Sequence, residues 1–143
     1  MPDEPVLHSR RSLTLKFDIP ISKTREFWSF LKEGKFVTTK CTKCGAVTFP
    51  PQADCPRCMS PQIEWTELGG DATLVTFTYV QITPASFVES DPYIVAIGEF
   101  RGGVKALAWL EGVGLEGAKP GMKLRIEARG VETNNPYYVF VPG

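Results

Sequence analysis

Four cysteines constrain this chain more than any other feature. They read Cys41-Thr42-Lys43-Cys44, ten intervening residues, then Cys55-Pro56-Arg57-Cys58, and the chain has no others. Two residues between paired cysteines let one loop aim both sulfurs at a single ion, and two such loops complete a tetrahedron. The spacing predicts a metal site held by Cys41, Cys44, Cys55 and Cys58. Disulfides and redox-active thiols are the alternatives, and the lack of a secretory pattern argues against the first. Four thiolates favour zinc, and iron also fits. Four cysteine ligands leave no open coordination position, so the expected role is structural, not the activation of water or substrate. Gly45 follows the first pair and relieves crowding where the loop turns. Met59 holds the matching place after the second pair, so that loop is expected to be less regular.

Around this site the chain divides into three. Residues 35–67 hold the cysteines, few apolar side chains, and Pro50, Pro51, Pro56 and Pro61, which preclude a long helix. So small a segment buries too little surface to fold unaided, and the metal supplies the missing stability. Residues 1–34 form an N-terminal arm. Leu13, Leu15, Phe17 and Ile19 alternate, which favours an extended stretch over 12–19. After Pro20, Ser22 is the expected N-cap of a short helix running to Glu33, with Gly34 as its C-terminal cap. Its apolar residues are Phe27, Trp28, Phe30 and Leu31, and Trp28 is either ordinary core or a docking surface for a partner.

Residues 68–143 are rich in short β patterns. Strands are expected over 72–80, 93–100, 104–110, 123–129 and 137–141. Thr73, Val75, Phe77 and Tyr79 are expected on one face of the first. Arg101-Gly102-Gly103 and Pro120-Gly121 mark turns. Five short strands in a segment of this size fit a small closed barrel, the five-stranded oligonucleotide/oligosaccharide-binding (OB) fold first among them. The fold class is therefore mainly β with a little α: a helical arm, a rubredoxin-like zinc ribbon and an OB barrel.

Hydrophobic residues at 43% and charged residues at 22% are those of a chain that folds. Lys and Arg total 16 and so do Asp and Glu, whereas proteins living on phosphate backbones usually carry a basic excess. No apolar run approaches the ~18 residues of a membrane helix. The acidic first residues do not resemble a signal peptide, so the expected setting is the cytoplasm. The lone histidine, His8, stands in the arm, and no Ser-His-Asp or Cys-His set can be assembled. Glu89 and Asp91 read as a solvated acidic loop before an acid-base pair. The chain is not expected to be an enzyme by itself.

The order of the parts carries a resemblance. Phe27-Trp28-Ser29-Phe30-Leu31-Lys32-Glu33-Gly34 precedes the first cysteine pair. Phe49-Pro50-Pro51, the second pair, Trp65, the strand over 70–79, Pro92-Tyr93-Ile94-Val95-Ala96 and Gly121-Met122 follow. Over about residues 24–142 this resembles the prokaryotic zinc-ribbon plus OB-fold family filed as "domain of unknown function thirty-five". The resemblance implies an accessory subunit that binds acyl-CoA and docks on a thiolase or related acyl-CoA enzyme. Hydroxymethylglutaryl-CoA synthase is among the implied partners, and lipid or isoprenoid metabolism is the setting.

Between residues 23 and 57, Lys23, Arg25, Lys32, Lys35, Lys40, Lys43 and Arg57 outnumber Glu26, Glu33 and Asp54. That local excess reads either as a solvated surface or as a complement to coenzyme A phosphates. The competing function is a nucleic-acid module, with Phe77, Tyr79 and Trp109 as stacking platforms. Against it, residues 68–143 carry six basic and eight acidic side chains.

Overall fold

A computed structural model describes residues 15, 16, 18–82 and 91–143. Half of the expected extended stretch over 12–19 lies outside the described residues, as do His8 and Glu89. Leu15 and Ile19, which are described, are exposed, and so is Asp91. Helix α1 (Glu26–Lys32) leads into the ribbon strands β1 (Val37–Cys41), β2 (Val47–Thr48) and β3 (Ile63–Glu67). The barrel strands follow: β4 (Asp71–Val80), β5 (Tyr93–Phe100), β6 (Lys105–Leu110), β7 (Lys123–Arg129) and β8 (Tyr137–Pro142). No helix among the described residues is long and apolar enough to cross a membrane.

Helix α1 starts later than the sequence suggests. The Thr24 and Arg25 amides both donate to the Ile21 carbonyl, closing a separate turn around Ser22. Arg25 therefore stands at the N-cap, with no side-chain capping bond. The C-terminus is as expected. Gly34 takes φ +76°, its amide donates to Leu31, and the Lys35 amide reaches back to Phe30, which is a Schellman closure. Phe27 and Leu31, one turn apart, are buried. Phe30 leans on Trp65 with ring centroids 5.9 Å apart. Trp28 is left 42% exposed.

The ribbon is a three-stranded antiparallel sheet in the order β2-β1-β3, pairing Thr39 with Thr48 and with Trp65. Thr38 and Thr39 are buried on the central strand, so their hydroxyls need partners. Thr38 donates to the Thr48 carbonyl, and Thr39 accepts from the Gln52 amide at 2.9 Å.

The barrel closes in the order β4-β5-β6-β8-β7, with β7 returning to β4. Only β6 and β8 pair in parallel. Counted from its own first strand the order is 1-2-3-5-4, the OB arrangement, and the mainly β fold class stands. One expectation fails. Thr73, Val75, Phe77 and Tyr79 do not share a face, because the β4–β5 register shifts between Leu74 and Thr76. Val75 is the extra residue and is exposed. Before the bulge Ala72 and Leu74 point inward, and after it Phe77 and Tyr79 lean on the core. A bulge sharpens local twist and helps a strand bend from one neighbour to the next. β4 does so here, pairing β7 through 71–73 and β5 along its length.

Helix, ribbon and barrel share one core. Phe27, Leu31, Phe36 and Val37 belong to the same apolar cluster as Leu74, Phe100, Leu124 and Phe140. The Phe36 ring stacks on Phe100 at 5.6 Å and meets Tyr138 at 5.2 Å. Phe49 touches Phe36 and Tyr138 at 5.2 and 5.7 Å.

Candidate metal centre

The two cysteine loops are built alike. Cys41 ends β1, and its carbonyl accepts the Gly45 amide at 2.9 Å while its own amide donates to Ala46. In the second loop the Cys55 carbonyl accepts the Met59 amide at 2.8 Å, and the Cys55 amide donates to Ser60. Each loop needs a left-handed residue at the fifth position. Gly45 supplies it at φ +76° and Met59 at φ +60°. The second loop is therefore as regular as the first, contrary to expectation, with Met59 accepting the backbone strain that glycine avoids. Its side chain is 77% exposed, so nothing crowds it.

The four sulfurs lie within 4.8 Å of one another. Cys41 and Cys58 are 3.6 Å apart, as are Cys44 and Cys55, and each of these pairs joins the two loops. A disulfide needs about 2.05 Å. A tetrahedron with Zn–S bonds of ~2.3 Å places its sulfurs ~3.8 Å apart. The cysteines are free and positioned to bind a metal. Cys41 and Cys55 are buried and Cys44 and Cys58 half-buried, and four sulfurs fill a tetrahedron.

The thiols show why a cation belongs among them. Amides of Cys44 and Lys43 pull the Cys41 thiol down to about 6, and Cys58 and Arg57 amides pull Cys55 down in the same way. The Ser60 amide favours the Cys58 thiolate, yet burial and three neighbouring sulfurs outweigh it and push that thiol up to about 11. Clustered thiolates resist ionising together until a metal ion neutralises them.

The other expected features are only partly assembled. Lys23 meets Asp54 at 3.5 Å, Lys35 meets Glu33 at 3.4 Å, and Lys32 donates to Asn134. Phe77 and Tyr79 are partly buried against the core, and Trp109 stacks on Tyr93 with centroids 4.3 Å apart. That arrangement does not favour the base-stacking reading. Phe36 and Phe49 join ribbon to barrel; on sequence, Phe36 does not stand out, and Phe49 does so only within the segment that carries the resemblance. An isolated aromatic in a ribbon carries no periodic signal.

Fold and site together define a zinc-ribbon plus OB-barrel protein. Residues 28–64 match the ChsH2 rubredoxin-like zinc ribbon domain, and residues 65–129 match the ChsH2 C-terminal OB-fold domain. Curated relatives include a DUF35 domain-containing scaffold protein of Pyrococcus furiosus, 30% identical over 110 residues, covering 77% of this chain and 80% of the relative. Another, from Methanocaldococcus jannaschii, is 31% identical over 80 residues, covering 54% of this chain and 57% of the relative. A probable enoyl-CoA hydratase alpha subunit of Thermomonospora curvata is 25% identical over 108 residues, 75% of this chain but only 34% of that protein. Among solved structures, a chain of the Ltp2-ChsH2(DUF35) aldolase superposes with TM-score 0.73 at 24% identity, covering 87% of this chain and 98% of that one. A DUF35-family protein of unknown function from Sulfolobus solfataricus superposes with TM-score 0.59 at 22% identity, covering 83% and 84%. The chain belongs to the DUF35 family, whose members join a zinc ribbon to an OB barrel.

Proposed function

We propose that this chain is a non-catalytic accessory subunit that binds acyl-CoA and docks on a thiolase or related acyl-CoA enzyme. Hydroxymethylglutaryl-CoA synthase is a second enzyme of the right class. In this reading Cys41, Cys44, Cys55 and Cys58 hold one structural zinc, which fixes the ribbon and performs no step. Relatives named as scaffold proteins and as an enoyl-CoA hydratase subunit support an assembly role beside acyl-CoA chemistry.

The observation that carries the docking reading is Trp28. Phe27 and Leu31 anchor α1 in the shared core, while Trp28 stands 42% exposed on that anchored helix. It borders a cleft of about 300 Å³ lined also by Lys32, Asn134, Asn135 and Pro136. A rigidly presented tryptophan beside a cleft is a typical interface anchor.

Co-purification of the full chain from its host, with partners identified by mass spectrometry, tests the assembly. Trp28→Ala, and separately truncation after Pro20, should weaken the complex at least tenfold and leave zinc content and melting temperature near wild type. A well-folded Trp28→Ala chain that binds its acyl-CoA enzyme as tightly as wild type would refute the assignment of Trp28.

A further inference from the structure

We infer that the open seam between β6 and β8 receives an extended peptide of the partner enzyme, which adds to the barrel as a strand along Lys105 and Leu107. The inference rests on the assembly reading above and says where and how that contact is made. Alternate residues of an antiparallel strand turn their N–H and C=O groups to the same neighbour. The Phe100 amide donates to the Val104 carbonyl at 2.7 Å, and from there β5 and β6 pair without a register shift. Ala106, Ala108 and Leu110 therefore face β5, and the backbone groups of Lys105, Leu107 and Trp109 face away from it, toward β8. β8 meets only the last part of that edge, pairing Trp109 with Val139 and Leu110 with Phe140. Phe140 turns its carbonyl to the Glu111 amide, so Pro136, four residues earlier, falls at a position that faces β6 and has no N–H to offer it. The two strands part there. Among the described residues, no backbone hydrogen bond reaches Lys105 or Leu107 on the open side.

What lies along the open edge fits a peptide. Phe49, Pro50, Ile97, Lys105, Leu107 and Tyr138 line a groove of about 400 Å³. Leu107 is 60% exposed, and Ile97 stands opposite it on β5. An extended peptide with apolar side chains at alternate positions would fill the groove and pair its own N–H and C=O groups with those of Lys105 and Leu107. An acyl chain in the same place would cover those groups without bonding them, which costs free energy. Sheet edges are usually guarded by short length or by charge. The ribbon edges are so guarded, since β2 has two residues and β3 carries Glu64 and Glu67. Leu107 has neither guard. The groove also adjoins the surface around Trp28. The Phe27 ring meets Trp28 at 5.0 Å, Phe49 at 6.1 Å and Tyr138 at 6.0 Å, and the Trp28 cleft includes Pro136, two residues before Tyr138.

Amide hydrogen exchange tests this on the full chain, alone and in the complex that co-purifies with its acyl-CoA enzyme. The Leu107 amide should exchange roughly tenfold more slowly in the complex than in the free chain. Leu107→Pro removes that donor on the side where a sheet edge tolerates proline, and should weaken the complex about tenfold with a melting temperature near wild type. Leu107→Ala keeps the donor and loses only side-chain contact, so it should weaken the complex less. The exchange measurement uses the wild-type chain and decides the matter even where proline unsettles the barrel. Several results overturn the inference and leave the assembly reading standing. One is a complex in which Leu107 exchanges as fast as in the free chain. Another is a loss with Leu107→Ala as large as with Leu107→Pro. A third is equal protection by acyl-CoA alone, and a fourth is protection that grows with concentration of the chain alone, which would mark a second copy as the occupant. Host protein that brings down no acyl-CoA enzyme would refute the assembly reading itself, and this inference with it.

Discussion

Met59 and Gly45 hold the same backbone conformation with very different side chains. Left-handed φ costs a residue with a Cβ ~1–2 kcal/mol, while glycine adopts it freely. Because the Met59 side chain is 77% exposed, removing it sacrifices little packing. Met59→Gly should therefore stabilise the ribbon by about 1 kcal/mol and raise the melting midpoint by a few degrees. Calorimetry on the zinc-loaded protein measures this, and a lowered midpoint would show that the loop is not strained there. The cysteine spacing made the candidate site readable residue by residue, since metal geometry is encoded in local sequence. Gly98 was not readable. A Cβ there would approach the Phe140 ring to 2.5 Å, so this strand glycine exists to admit a side chain 42 positions away. A glycine inside a strand hints at such an approach but does not name the partner.

At the scale of elements, what was legible is what repeats locally. The five barrel strands appear where alternation and turn glycines put them, within a residue or so. The bulge at Val75 was not legible, because two-residue alternation assumes an unbroken register and barrel closure breaks it. The start of α1 was missed for a related reason: the Ile21 carbonyl captured two amides that a Ser22-capped helix would have used. Strand β7 adds a charge ladder. Glu127 accepts from Arg125 and from Arg129, and Arg129 also approaches Glu111 at 3.5 Å. The Arg125 bond first, then the Arg129 bond, holds the Glu127 carboxyl below its ordinary value of 4.5. A carboxyl depressed in the folded state contributes stability in full above its unfolded value and loses it as pH falls through the folded one. Melting temperature should thus decline on acidification below about pH 4.5, and Glu127→Gln should flatten that decline while starting lower at neutral pH. Parallel melting curves for the two proteins across this range would show that the ladder is too solvated to matter.

Over the whole molecule, the shared core makes the metal a matter for the barrel as well as for the ribbon. Phe36 and Phe49 leave the ribbon to pack on Phe100 and Tyr138 of the barrel. Burying one phenylalanine stabilises by ~1.5–3 kcal/mol, so withdrawing two would take a large share of the ~5–15 kcal/mol that holds a domain together. In so small a ribbon, metal binding is expected to supply much of the folding free energy. Stripping zinc should therefore destabilise the barrel at a distance. Three tryptophans report separately: Trp28 on the helix, Trp65 in the ribbon and Trp109 on the barrel. With Trp28 and Trp65 replaced by Phe, fluorescence follows Trp109 alone. Its thermal midpoint should fall by more than ten degrees when a strong chelator removes the metal. Cys44→Ser should reproduce that fall without chelator, since three thiolates hold the ion less tightly than four. If Trp109 instead melts at the same temperature with and without metal, ribbon and barrel are energetically independent despite their common aromatic cluster.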